Sequence, residues 1–269
     1  MRPVSKAIEV AALWAVMGLG SAVAQTQACS QPLYLTFDTG HMGVAPLIAE
    51  VLQRQNVKVT FFVAHEKTHQ GDGTLGTTWA PWWAARAAEG HEFASHTLDH
   101  VYWQSDLPQG AQKLFKMRPS AGAQAGQTLH WTGQDYCDSL KQASARIEAL
   151  TGRASLPLFR APGGKTSPRL LEAAKACGYA HVGWAPAGFL GDELPSEKFS
   201  NAKLLTQAVE RIRSGDILMA HLGIWSRTDP WAPAVLEPLI TQLKAKGFCF
   251  ATLREHPEYR RWIAQSHKG

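Results

Sequence analysis

Apolar runs of strand length alternate with helical patterns along most of this chain, which is the pattern of βα units laid around a parallel sheet. The strand-length runs cover residues 34–38, 57–63, 91–96, 157–160, 180–184, 217–220 and 248–253. Between them, apolar residues recur at helical spacing over 45–55, 82–89, 135–150, 168–177, 202–214 and 234–246. Gly90, Gly152 and Gly178 stand where three of these helices should stop. Two segments, 65–81 and 106–131, read as long loops rich in Gly, Gln, Thr and Pro. Loops of that length in a compact domain are usually functional or disordered.

The polar residues that interrupt this scheme fall at one end of it. Asp38, His96, Arg160 and His221 each sit at or just past the C-terminal end of an expected strand. In a βα barrel that end carries the active site. Taken singly each has an ordinary explanation: an Asp caps a turn, a His satisfies a structural bond, an Arg is a surface charge. Four in the same position argue for a site. His96 and His100, in HTLDH, also offer two imidazoles at a spacing that lets one short loop or helical turn hold a divalent ion.

Composition limits the remaining choices. With 269 residues, 45% of them hydrophobic, the chain can bury one large core or two small ones, and a single domain is preferred. The net charge of +5 is mild and unclustered. No run of Lys and Arg interleaves with aromatics, so nucleic acid is not an expected partner, whereas an anionic envelope polymer is compatible. Arg2 and Lys6 followed by an apolar stretch and Ala22-Val23-Ala24 read as a signal peptide over 1–24, leaving a mature domain over 25–269. The apolar stretch is shorter than the roughly 20 residues of a spanning helix, so no stable membrane span is expected. Export to the periplasm or beyond gives the four cysteines an oxidising context. Cys29 and Cys249 lie near the starts of the first and last strands, at one end of a closed barrel, which favours a bridge. Cys137 and Cys177 fall at opposite ends of their helices and are not expected to pair.

The motifs LTFDTG, GHEFASHTLDH, FRAPGG and ILMAH occur in that order within about residues 32–253. Together they resemble those of the polysaccharide deacetylases, carbohydrate esterase family four with the NodB-homology domain. TFFVA followed by AAEGHEFASHT is especially close. The resemblance implies an α/β fold, a distorted (β/α) barrel of the NodB-homology type. It also implies metal-assisted removal of N- or O-acetyl groups from a chitin-like oligomer, peptidoglycan or exopolysaccharide. It makes His96 and His100 metal ligands, with zinc the expected ion and cobalt or nickel substitutes. Asp38 becomes the general base, Arg160 the cation that orients it, and His221 the general acid. Pro162, Gly163 and Trp225 are candidate substrate contacts, and backbone N–H groups after Thr39 are candidate oxyanion donors.

The chain departs from the family pattern in two places. Family members usually carry a second Asp directly after the base as a third metal ligand, and here that position is Thr39. Either His41, Asp99 or His65 completes the site, or the ion is held weakly by two histidines and water, or none binds. A carbohydrate-binding relic that no longer turns over is the alternative from another functional class. Near Gly183 and Trp184 the acids that orient the family's acid histidine are also missing, and Asp192 is the closest substitute. Trp79, Trp82, Trp83, Tyr102, Trp103, Trp131, Trp184, Trp225 and Trp231 cluster around the expected loops, where sugar rings can stack on them.

Overall fold

Residues of β1 to β3 are buried on both sides of the sheet, as strands covered by crossover helices must be. The computed structural model describes residues 29–108, 110, 114–227 and 229–266, so the expected signal peptide lies outside the described residues. Its strands are β1 (Pro32–Asp38), β2 (Thr60–Val63), β3 (Glu92–Ser95), β4 (Val101–Asp106), β5 (Phe115–Pro119), β6 (Leu129–Trp131), β7 (Leu158–Phe159), β8 (Ala180–His181), β9 (Ile217–His221) and β10 (Cys249–Phe250). Its helices are α1 (Ala45–Arg54), α2 (Ala80–Ala88), α3 (Gly133–Thr151), α4 (Pro168–Ala176), α5 (Asn201–Arg211), α6 (Leu236–Ala245) and α7 (Pro257–Ser266). Seven strands form a parallel sheet in the order β10-β1-β2-β3-β7-β8, with β9 also paired to β1. Between β8 and β9 the wall is completed by irregular chain. The Met219 N–H bonds the Gly188 carbonyl, and Ala185 and Leu190 donate to Ile217 and Met219. The barrel is therefore distorted, as expected.

Strand periodicity decides which side chains face the barrel interior. Leu33, Leu35, Phe37, Phe61, Val63 and Phe93 pack outward against Ile48, Val51, Trp83 and Leu239 of the helical layer. Their neighbours Tyr34, Phe62, Ala94, Leu158 and Ile217 point the other way, into a second cluster. Counting up by twos from that inner set reaches Asp38, His96, Arg160 and His221 at the C-terminal ends of their strands. The far end of the barrel is plugged by Leu253 and by Tyr259 and Ile263 of α7, a helix the sequence reading did not anticipate. Tyr259 donates its hydroxyl to the His181 carbonyl, and Trp262 donates its indole N–H to the Pro157 carbonyl.

Local chemistry explains the helix ends. Thr132 and Asp135 form a reciprocal capping box at α3, which stops at Gly152 in the left-handed region. Ser167, ahead of Pro168, accepts from the Leu170 N–H at the start of α4.

Two expectations are corrected. Segment 106–131 is not one long loop, since β4, β5 and β6 form a three-stranded antiparallel sheet there. The alternation of β5 is regular, with Phe115, Met117 and Pro119 buried and Lys116 and Arg118 exposed. The cysteines pair as Cys29–Cys249 and also as Cys137–Cys177, with Cα atoms 5.9 Å and 6.1 Å apart. The start of α3 lies against the end of α4, so opposite helix ends are what meet. No helix among the described residues is long and apolar enough to cross a membrane.

The loops after β1 and β9 touch at Gly40, where a Cβ would overlap the Gly223 carbonyl oxygen. Gly40→Ala is expected to cost about 1–3 kcal/mol by overpacking. Gly183→Ala, which meets nothing within 4 Å, is expected to stay within about 0.5 kcal/mol. Urea denaturation of the two variants checks the contrast.

Candidate active site

At the C-terminal mouth of the barrel, a cavity of about 370 Å3 is lined by Asp38, Thr39, His96, His100 and His221. Trp184, Gly163, Tyr102, Trp225, Glu66 and Glu193 complete much of its wall.

Its floor is a buried ion pair. Arg160 is fully buried and gives Nη1–H to Asp38 Oδ1 at 2.7 Å and to Thr36 Oγ1 at 2.9 Å. Its Nε–H and one Nη2–H reach the Val182 and Gly183 carbonyls, both at 3.2 Å. Thr36 passes its own hydroxyl hydrogen to the Leu218 carbonyl, and the guanidinium lies 4.2 Å above the Phe62 ring. A buried guanidinium is tolerated only when its donors are satisfied in this way. Burial works to raise the Asp38 pKa, but Arg160, His96 and His221 together win and hold it below the ordinary carboxylate value. Asp38 is therefore ionised at neutral pH.

His96 and His100 are brought together by a loop and not by a helical turn. Thr97 and His100 both adopt positive φ, 63° and 47°, and the Val101 N–H closes the turn on Thr97 Oγ1 at 2.7 Å. The two imidazoles end 4.9 Å apart, centroid to centroid. His96 donates Nδ1–H to the Arg160 carbonyl at 2.8 Å, which leaves an Nε2 lone pair 3.6 Å from Asp38 Oδ2. Ser120 Oγ gives its hydrogen to the His100 carbonyl and accepts from His100 Nδ1 at 2.7 Å. Both rings are thus fixed in the tautomer that frees Nε2, the arrangement of metal-ligating histidines. Burial pushes the His96 pKa down to about 4, so the ring is neutral and a competent donor.

A third ligand is the weak point. Thr39 Oγ1 accepts the Ala64 N–H at 3.1 Å, which engages the hydroxyl with the main chain. Among the described residues, no group of three or more His, Cys, Asp or Glu side chains is arranged to hold a metal. The three side chains expected to substitute for the missing Asp do not reach the cavity. His41 accepts the Gly43 N–H and packs on His69 and Trp225. His65 accepts the Leu75 N–H. Asp99 lines a separate surface depression with Gln124 and Asp138. Glu66 was missed, although it follows β2 as the other site residues follow their strands. Its Oε1 lies 3.9 Å from His100 Nδ1, the nitrogen bonded to Ser120, and its buried Oε2 has no hydrogen-bond partner.

His221 stands across the cavity, held by Asp192. The carboxylate accepts the His221 backbone N–H at 2.6 Å and the ring Nδ1–H at 3.0 Å. Burial lowers the His221 pKa, but Asp192, then Asp38 and Glu193, outweigh it and raise the value to about 9. The imidazolium is the form present at neutral pH.

Other expected contacts divide. Gly163 and Trp225 line the cavity, with Trp225 58% exposed, whereas Pro162 is buried beneath. Trp79, Trp82 and Trp83 pack with Phe61 in the core instead of facing substrate. Of the N–H groups after Thr39, that of His41 is given to the Gly223 carbonyl and is not available to an oxyanion.

The family model described as Polysaccharide deacetylase matches residues 25–182. A chitooligosaccharide deacetylase of Azorhizobium caulinodans is 23% identical over 88% of this chain and 99% of its own length. A peptidoglycan-N-acetylglucosamine deacetylase of Bacillus cereus is 22% identical, covering 84% of this chain and 88% of the relative. A family 4 acetyl xylan esterase from Clostridium thermocellum, solved with a cobalt ion, superposes with a TM-score of 0.62 at 22% identity, over 84% of this chain and 89% of that one.

Replacing Arg160 by Met would leave the Asp38 carboxylate buried without its cation, at an expected cost of about 3–5 kcal/mol by urea denaturation. Adding Asp38→Asn to that variant should recover part of the loss. His221 titrates near 9 when folded, above its ordinary value. The stability it contributes is therefore complete below the unfolded pKa, about 6.5, and is lost as pH rises through 9. Asp192→Asn should move the NMR titration midpoint of the His221 ring downward from 9; an unmoved midpoint would remove Asp192 as its cause.

Proposed function

The chain belongs to the polysaccharide deacetylase family, and on that footing we propose that it is an exported, metal-dependent hydrolase removing acetyl groups from an N-acetylated glycan. Residues 1–24 act as the signal peptide and 25–269 as one catalytic domain. The observation that carries the reading is the convergence of an ionised Asp38 on Arg160 and a protonated His221 on Asp192 at one cavity with His96 and His100. A sugar-binding surface has no use for a paired base and acid. The two relatives, a chitooligosaccharide deacetylase and a peptidoglycan-N-acetylglucosamine deacetylase, support an N-acetylated sugar as substrate.

His96 and His100 would hold the divalent ion, zinc by preference and cobalt or nickel as substitutes, because neutral imidazoles suit these borderline ions. With the ion bound, the acetyl carbonyl is polarised and the attacking water is made more acidic. Asp38 takes the proton as the water oxygen bonds to the carbonyl carbon. Arg160 keeps that carboxylate ionised and aimed while it is empty of a proton. As the carbon–nitrogen bond breaks, the His221 imidazolium gives its Nε2 proton to the leaving nitrogen, and acetate and the amino sugar remain. Asp192 holds the ring in the orientation that presents Nε2. Gly163 and Trp225 flank the sugar, and the exposed indole offers a stacking face.

One observation favours a second reading. With Thr39 engaged by Ala64 and no third ligand assembled among the described residues, the same fold also suits a carbohydrate-binding relic. An acetyl ester, which needs less activation than an amide, is the substrate a weak ion site would tolerate.

Metal content by mass spectrometry, measured beside acetate release from an N-acetylglucosamine oligomer and an acetyl ester, separates these. Near-stoichiometric metal that is lost in His96→Ala, with acetate released, is the expected result. Asp38→Asn should lower turnover by at least about a hundredfold, and full activity in that variant would overturn the base assignment. No metal and no acetate, with zinc or cobalt added, would favour the relic.

A further inference from the structure

The small sheet of β4, β5 and β6 stands at the mouth of the cavity, and the charges on its exposed face share one sign. Strand register sets Tyr102 opposite Arg118 and His130 opposite Lys116. Lys116, Arg118 and His130 are exposed, and the buried alternates Phe115 and Met117 anchor the sheet to the core. A groove of about 400 Å3 runs along this face between Gln104, Arg118 and Lys165. It shares Tyr102 and Ser120 with the catalytic cavity, so the two are continuous. The Lys165 ammonium lies 6.0 Å over the Tyr102 ring at the junction.

Among the described residues, Lys116, Arg118 and Lys165 make no ion pair, and no carboxylate lines the groove. Some other arginines are matched, Arg54 to Glu237, Arg86 to Glu89, and Arg153 and Arg254 to Glu92, but what sets Arg118 and Lys165 apart is that they share one groove beside the catalytic cavity. The catalytic cavity itself is mixed in sign, with Asp38, Glu66 and Glu193 on its wall beside Lys67 and the protonated His221.

We propose that this groove is an anion subsite, and that the substrate is an acetylated glycan bearing a carboxylate on the sugar next to the one being deacetylated. The proposal rests on the deacetylase reading and narrows its substrate class. An unpaired guanidinium presents a planar fork of donors that matches a carboxylate, and Lys165 adds a second positive charge. Like charges gathered on one exposed face raise the local potential that attracts an anion. Continuity of the basic groove with the cavity sets register, because it places the charged sugar beside the one being deacetylated. The carboxylate is either a lactyl ether substituent on an amino sugar or the acid of a uronic ring.

The test uses the mature protein and three oligosaccharides of equal length: neutral N-acetylglucosamine units, the same with lactyl-substituted units alternating, and the same with uronic acid units alternating. Acetate release gives kcat/KM for each. The wild type is expected to prefer one or both acidic substrates over the neutral one by roughly tenfold, the effect of one charge-assisted hydrogen bond. That ratio should fall as salt is raised. In Arg118→Gln/Lys165→Gln the ratio should approach one, mainly through KM, and in Arg118→Glu it should drop below one. Which acidic substrate leads identifies the source of the carboxylate. A wild-type ratio of one, or a preference that survives in the double variant, overturns the subsite. If no substrate yields acetate, the deacetylase reading fails instead, and calorimetry on the same oligosaccharides still decides the groove. Tighter binding of an acidic one, lost in the double variant, supports it, and equal binding rejects it.

Discussion

The buried pair of Arg160 and Asp38 is the contact on which the site depends. A guanidinium with no solvent exposure must have its donors met inside the protein, and here the partners come from β1, from the chain after β8, and through Thr36 from β9. The pair therefore ties together strands that are far apart in sequence. It also supplies the field that keeps a buried carboxylate charged, so one interaction serves both the barrel's upper end and the base.

The two sides of the cavity are tuned in opposite directions by the same means. Burial alone would neutralise both Asp38 and His221. A fixed opposite charge beside each reverses that outcome, and the result is an anion and a cation facing each other across one cavity. Separating the protonation states of neighbouring groups by environment is how acid and base chemistry coexist at one pH. His96 and His100 belong to neither side; their Nδ1 atoms are committed to the Arg160 carbonyl and to Ser120, and their free nitrogens share the cavity with Glu66.

The three-stranded sheet gives the mouth of the cavity a basic surface. β5 buries one set of alternate residues and exposes a basic set, and its cross-strand partner Tyr102 reaches the cavity wall. The sequence carried that period-two pattern in FKMRP, but it is short and lies among Gly, Gln and Ser, so composition outweighed periodicity and the segment read as loop. α7 was missed for a related reason: Tyr259 and Ile263 are buried in an otherwise strongly polar segment, so composition hid its amphipathic face.

What the sequence determined by itself was the succession of strands and helices, the end of the sheet where polar residues gather, and the family. Asp38, His96, Arg160 and His221 were legible because strand periodicity and strand ends are local properties. Tertiary structure decided the rest. Why His41, His65 and Asp99 do not approach His96 and His100, that Glu66 lies near His100, and that Cys137 meets Cys177 all depend on how separate βα units are set against one another. Those distances are fixed by packing around the barrel and by the buried charge at its centre, and no spacing along the chain encodes them.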